Sequence, residues 1–162
     1  MDARRSSSTG FSLAELITVV AIIGILASVA MPLANFGIRR QKEIELHEKL
    51  RRITEAIDRY HELRMQQPGS PGGIKDPPSL EQGPWPKDLE ELTKPIEVNS
   101  GQKIRLLRAR DLIDPMTNKS EWNTLSADDD ADSSSSNGKN VYEIHSKSTA
   151  PALDGKTHYN EW

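Results

Sequence analysis

A chain of 162 residues, 35% hydrophobic and 28% charged, with a formal net charge of −3, has room for one modest domain plus an extension. The acidic balance gives no support to a nucleic-acid-binding surface. With no cysteine, the chain has no disulfide, zinc–thiolate site or thiol nucleophile.

The first ten residues, MDARRSSSTG, carry Arg4 and Arg5 against Asp2. Residues 16–38 then contain no Asp, Glu, Lys or Arg over 23 positions, and roughly 20 apolar residues suffice to cross a bilayer as a helix. The run LITVVAIIGILASVAM is apolar almost throughout, Pro32 interrupts it, and Arg39, Arg40 and Lys42 follow. The arginine pair in a short leader favours a cytoplasmic N-terminus. A cleaved secretory signal would use the small residues at 27–30. A twin-arginine signal is a poorer fit, because serines follow Arg4-Arg5. A plain signal anchor accounts for the length but not for Gly10, nor for a carboxylate, Glu15, at the edge of the apolar run.

The stretch GFSLAELITVVAIIGILASVAMP, residues 10–32, resembles the class III signal of type IV pilins and type II secretion pseudopilins. The resemblance implies that a prepilin peptidase cuts between Gly10 and Phe11 and methylates the new amine of Phe11, leaving the apolar segment on the mature protein. Glu15 and Pro32 then stand where that family carries its glutamate and its proline. Glycine suits such a cleavage site because a protease can approach its carbonyl closely. An acidic residue costs about 2.5–3.5 kcal/mol at a bilayer centre on insertion scales. The ammonium created at Phe11, about one helical turn away or on a neighbouring copy, is a countercharge for Glu15. The alternative is a glutamate that snorkels to interfacial water. Gly24 and Pro32 weaken the helix between them, which permits either a harmless kink or partial unwinding on assembly.

Further along, Ile44, Leu46, Leu50, Ile53, Ile57, Tyr60 and Leu63 recur at three- and four-residue intervals with one shorter step. This pattern predicts an amphipathic helix that continues the apolar segment and ends near Gln67, before Pro68-Gly69. The stripe covers too few heptads to argue for a coiled coil. Residues 66–84 are rich in proline and glycine and read as a loop. WPKDLEELTKP, residues 85–95, predicts a short helix with Leu89 and Leu92 on one face. KIRLLR (103–108) and NVYEIHS (140–146) predict strands, with a turn at Asp114-Pro115 between them. The order of these elements, and the segments WPKDLEEL, IDPMTNKSEW and VYEIHSKSTAPALDGKTHYNEW, resemble the periplasmic domain of the major, G-type pseudopilin. The absence of cysteine agrees, since many pilins close their C-terminal region with a disulfide.

Residues 128–140, DDDADSSSSNGKN, start like an EF-hand loop. Ser133 and Lys139 replace its glycine and its glutamate, and low complexity indicates a solvated insertion. The resemblance also implies a calcium site in the C-terminal loop, where Asp154 is the one aspartate and Glu161 the one glutamate of residues 146–162. Calcium needs six to eight oxygens, so carbonyls and hydroxyls would supply most of them; an Asp154-Gly155 turn ordering the loop without metal is the other reading. No cofactor is required, and Ca2+ is the one candidate. The four histidines, His47, His61, His145 and His158, form no evident pair, Ser146 and Ser148 lack a nucleophile elbow, and Arg105, Arg108 and Arg110 suggest a solvated face or intersubunit salt bridges. Nothing in the sequence supports catalysis.

The expected fold is α+β: a long N-terminal helix on a small domain with a short helix and antiparallel strands. The expected organisation is a leader at 1–10, a membrane and filament-core helix at 11–38, its amphipathic half at 39–67, and a periplasmic domain at 68–162 with an insertion at 128–140. The expected function is that of a structural subunit of a type II secretion pseudopilus. It would be anchored in the bacterial inner membrane with its C-terminal domain in the periplasm. The implied partners are further copies of itself, the prepilin peptidase, minor pseudopilins, an inner-membrane platform with a cytoplasmic ATPase, and lipid before assembly, but no nucleic acid. The alternatives are a type IV pilin of a surface filament and, from another class, a monomeric signal-anchored periplasmic binding domain or enzyme.

Overall fold

The computed structural model describes residues 12–76, 83–130, 133 and 136–162, without the side chain of Pro32. One long N-terminal helix, α1 (Leu13–Met65), precedes a small domain of short antiparallel strands, which is the expected pilin-like α+β arrangement. The chain divides into two compact units, Met1–Arg39 and Arg40–Trp162.

In the first unit α1 opens with the Leu16 amide donating to the Ser12 carbonyl at 3.1 Å. The helical backbone continues through Gly24 and Pro32. In the second unit α1 stops at Met65, two residues before the expected end, and a turn at 68–69 follows with Gly69 at φ +83°. That positive φ suits glycine in the turn, where the Ser70 amide donates to the Gln67 carbonyl at 2.9 Å. Its buried stripe is Leu46, Ile53, Ala56, Ile57, Tyr60 and Leu63, with Leu50 packed at the margin. Ile44 departs from the expected stripe and is 56% exposed. It lies two residues from Leu46, and a step of two turns a side chain about 200° round the helix.

The rest of the second unit packs Leu89, Leu92, Ile96, Leu107, Leu112, Trp122, Val141, Ile144, Ala152 and Tyr159 into the same core. Strands β1 (Ile96–Glu97) and β2 (Lys103–Ile104) pair antiparallel, Ile96 opposite Ile104. Strands β3 (Trp122–Leu125) and β4 (Glu143–Ser146) form a second antiparallel pair, from Trp122 opposite Ser146 to Leu125 opposite Glu143.

Three elements differ from expectation. Residues 85–95 form turns and a 3-10 helix at Glu91–Thr93, although Leu89 and Leu92 are buried as predicted. The Asp88 carboxylate accepts the Glu91 amide at 2.8 Å, and the Glu91 carboxylate accepts the Lys87 amide at 2.8 Å, which caps the start of this short turn. So short a stretch between prolines has few residues over which to offset helix nucleation. The strand predicted at 103–108 ends at Ile104, and the Leu107 amide instead donates to the Leu92 carbonyl at 3.0 Å. The strand predicted at 140–146 begins at Glu143. Asn140 is buried ahead of it, its side-chain oxygen accepting the Ser126 hydroxyl at 2.8 Å and the Ala127 amide at 3.1 Å.

Polar groups in the core are satisfied. Asp114 is fully buried, and its carboxylate accepts the Ser146 hydroxyl at 2.7 Å and the Met116 amide at 2.7 Å. The expected turn at Asp114-Pro115 is thereby tied to β4. The Tyr60 hydroxyl donates to Glu91 Oε1 at 2.6 Å and accepts from Arg64 Nη2 at 2.7 Å and Nε at 3.0 Å. Burial, then the hydrogen bond to Glu91, push the Tyr60 phenol from 10.0 up to about 12, against the lowering effect of Arg64.

Two outcomes follow for the detergent-solubilised full chain. Ile57→Ala is expected to lower unfolding stability by about 2–5 kcal/mol through lost burial and a residual cavity, measured by denaturation followed by tryptophan fluorescence. A loss below about 1 kcal/mol would mean the stripe is not the core. Because the folded-state pKa of Tyr60 is raised, its contribution is complete below pH 10.0 and is lost as pH rises through about 12. The stability difference between wild type and Tyr60→Phe is therefore expected to narrow across that window, and a constant difference would contradict the assignment.

Candidate functional site

The first unit has an unusual surface. Leu13, Leu16, Ile17, Val20, Ile23 and Leu26 are exposed, as are the apolar side chains that continue to Ile38. An 18-residue window of α1 has a mean hydropathy of 2.5 and none of it is buried, which makes α1 long and apolar enough to cross a membrane. So much contiguous apolar surface is not sustained in water by a monomer. Its few polar side chains suit an apolar solvent: the Thr18 hydroxyl donates to the Ala14 carbonyl at 2.8 Å and the Ser28 hydroxyl to the Ile25 carbonyl at 2.7 Å. Both hydroxyls are satisfied within the helix, as a lipid-facing or filament-core position requires.

Glu15 stands in the first turn of α1, exposed. A carboxylate there faces the free amides of the helix N-terminus, a favourable placement for negative charge. Gly10 and Phe11 lie outside the described residues. A Cβ built on Gly24 meets nothing within 4 Å, so nothing packed against this position within the chain requires glycine. Pro32 lacks the amide that would donate one helical hydrogen bond, yet the helical backbone continues through both positions.

At the other end of the chain, Asp154 Oδ1 accepts the Lys156 amide at 2.8 Å and the Thr157 amide at 3.0 Å, and Oδ2 accepts the Thr157 hydroxyl at 2.8 Å. The Lys156 amide, then the amide and hydroxyl of Thr157, hold the Asp154 carboxyl below its ordinary range. Gly155 takes φ +68° in the turn. Among the described residues no group of three or more His, Asp or Glu side chains is placed to hold a metal ion. The hydrogen bonds to Asp154 build the turn of the second reading.

That turn belongs to a clasp which the sequence did not announce. Glu43 Oε1 accepts the Leu153 amide at 2.7 Å and the Tyr159 hydroxyl at 2.8 Å. The Trp162 indole donates to Thr157 Oγ1 at 3.0 Å, its ring stacks on His47 at 4.2 Å, and its carbonyl oxygen lies 2.8 Å from His145 Nδ1. His61 stacks on Trp85 at 3.9 Å, and His158 Nδ1 lies 3.5 Å from Glu161. The histidines are thus dispersed among structural contacts. Ser146 is buried and donates to Asp114, and Ser148 Oγ accepts the Ala150 amide at 3.4 Å. Ser146 is thus enclosed in a buried structural hydrogen bond with the Asp114 carboxylate. Residues 128–130 lie in a turn region, while Asp132, a third acid of the EF-hand-like pattern, lies outside the described residues.

A model of the prokaryotic N-terminal methylation motif matches residues 5–31. No curated protein and no solved structure matches the chain significantly. The chain therefore carries a prepilin-type signal of the kind found on type IV pilin-like and pseudopilin subunits. Together with the apolar helix, this signal fits a protein anchored in the membrane by a single segment.

Asp154→Ala is expected to lower the melting temperature of the full chain in detergent by about 2–4 °C, the scale of a lost local turn. Exchanging EDTA for millimolar calcium is expected to leave it unchanged. A rise above about 2 °C with calcium in the wild type, absent in Asp154→Ala, would instead assign a bound ion. With a lowered carboxyl value, the Asp154 contribution is present above pH 3.8 and is lost as pH falls through the lowered value.

Proposed function

We propose that this chain is a structural subunit of a type II secretion pseudopilus, the major subunit of its filament. The observation that carries the reading is the register of the N-terminal motif: glycine then phenylalanine at 10–11, glutamate at 15 and proline at 32, set around an exposed apolar helix. On this reading the precursor enters the inner membrane with its N-terminus in the cytoplasm. A prepilin peptidase cuts at Gly10–Phe11 and methylates Phe11, and the small domain stands in the periplasm. Further copies, minor pseudopilins and a platform with a cytoplasmic ATPase complete the partners, and growth of the filament helps folded proteins cross the outer membrane. The role is mechanical, and it takes neither a cofactor nor nucleic acid. The lack of cysteine and the sequence likeness of residues 85–92, 113–122 and 141–162 to the major pseudopilin support secretion rather than a surface pilus.

Glu15 supplies the specific step. Its carboxylate is exposed in the single chain and in a filament core would lose water. The Phe11 ammonium of a neighbouring copy, whose charge methylation would leave in place, offsets that loss. Breaking such a pair after burial costs about 3–5 kcal/mol. In the same core, the helix between Gly24 and Pro32 is free to unwind where packing favours it.

Intact mass of the membrane-extracted protein is expected to match a chain beginning at methylated Phe11; retention of residues 1–10, or cleavage near Ala30, would remove the reading. Glu15→Ala is expected to insert and be processed normally yet to polymerise poorly, with Glu15→Asp intermediate, scored by cross-linking and electron microscopy. Wild-type filament yield from Glu15→Ala would leave the snorkelling account. Deleting the gene is expected to retain exoproteins in the periplasm, and loss of surface filaments with secretion intact would move the chain to the pilins.

A further inference from the structure

A cavity of about 670 Å³ in the second unit is walled by Arg52, Arg105, Arg108 and Arg110, with Asp111 as its one acid. Asp111 is already taken: it is buried, pairs with Arg52 at 2.9 Å, and accepts the Arg108 amide at 3.3 Å. Arg105, Arg108 and Arg110 are exposed and, among the described residues, have no side-chain ion pair. Three guanidinium groups so placed repel one another and present forked donors suited to carboxylates.

The complementary charge is on the turn after β3. Asp129 braces that turn from within, accepting the Ser126 amide at 2.8 Å and the Asn137 amide at 3.2 Å. Asp128 and Asp130 remain exposed. Asp128 meets Lys139 at 3.3 Å, both well exposed, and Asp130 has no side-chain ion pair among the described residues. Among the described residues no hydrogen bond or ion pair joins this turn to the arginine cavity. The chain therefore carries a basic cavity and an acidic projection that it does not pair with each other.

We propose that the arginine cavity of one copy receives the Asp128 and Asp130 carboxylates of a second copy. This rests on the polymerisation reading above, and it names the surface through which the small domains meet. Each exposed ion pair alone is weak. In a polymer the same contact recurs at every copy, so its effect accumulates through high local concentration.

The chain has no cysteine, so introduced thiols report the contact without background. Full-length copies carrying Arg108→Cys and Asp130→Cys under different tags are co-expressed in the native membrane and oxidised with diamide. The expected result is a disulfide between the two tags at least about tenfold above like-tag pairing. Adding Arg105→Glu and Arg110→Glu to the first copy is expected to abolish it, and Asp128→Lys in the second copy to restore it. Amine-reactive cross-linking of the wild-type membranes tests polymerisation separately. A cross-linked ladder without the disulfide, or equal self-pairing of Arg108→Cys, overturns the docking and leaves the polymer standing. A disulfide without a ladder retains the contact as that of a dimer and overturns the polymer, and the absence of both overturns both.

Discussion

The second unit depends on one stripe, the side chains of Leu46, Ile53, Ile57, Tyr60 and Leu63 on the amphipathic half of α1. Two two-stranded sheets of this size are not stable alone in water, and the 3-10 turns are shorter still. What these pieces share is the helix. Four polar contacts repeat the dependence along its length: Glu43 holds Leu153 and Tyr159, Lys49 donates to the Ile113 carbonyl at 2.6 Å, Arg52 pairs with Asp111, and Tyr60 with Arg64 holds Glu91. Lys49 and Arg52 hold one loop, around residues 111–113, while Glu43 and the Tyr60–Arg64 pair hold two others, so the order of contacts along α1 fixes where these loops lie on this unit. Burial of each large side chain contributes about 1.5–3 kcal/mol, and the polar contacts select among the arrangements that burial alone would allow.

One continuous helix thus meets two kinds of surroundings. Around Ile57 its apolar side chains are covered by the chain's own loops, whereas around Ile23 none of the described residues covers them. The first condition is the ordinary one for a folded domain. The second requires a cover from outside, and the internal hydrogen bonds of Thr18 and Ser28 show which kind the residues suit. Lipid and other copies are both apolar surroundings, so side chains that satisfy their hydroxyls within the helix suit either. On the proposed assembly Glu15 would distinguish the two, because a charge is tolerated near water at a membrane interface and needs a partner in a packed core.

Where information is local, the sequence was sufficient: the apolar run lies within a few turns, and the 3.6-residue period reveals α1 from Leu46 to Leu63. Ile44 was misplaced because a two-residue step was accepted into that period. Strands β1 and β3 escaped notice because two or four residues carry little pattern, and a bond from Leu107 to Leu92 overrode the apparent strand at 103–108. Long-range contacts left no trace in the sequence. Glu43 reads as one more polar residue on a helix, and its partners are 110 and 116 residues away. Arg52 joins Arg105, Arg108 and Arg110 only through Asp111, 59 residues from it.

The distribution of charge gives assembly its directionality. Apolar association is non-directional and scales with area, so copies held by residues 16–38 alone would slide along and around one another with little change in free energy. A single carboxylate in that surface changes this, since it is satisfied at discrete positions where an ammonium is within reach, and a buried polar group that fixes register is the best-attested use of such pairs. The arginine cavity and the acidic turn add a second discrete condition on the aqueous side. On the proposed assembly, a displaced copy would leave Glu15 unpaired in the core or the three arginines facing solvent. The penalty for the first would be large and for the second small, so on the proposed assembly the core pair would dominate the choice of register.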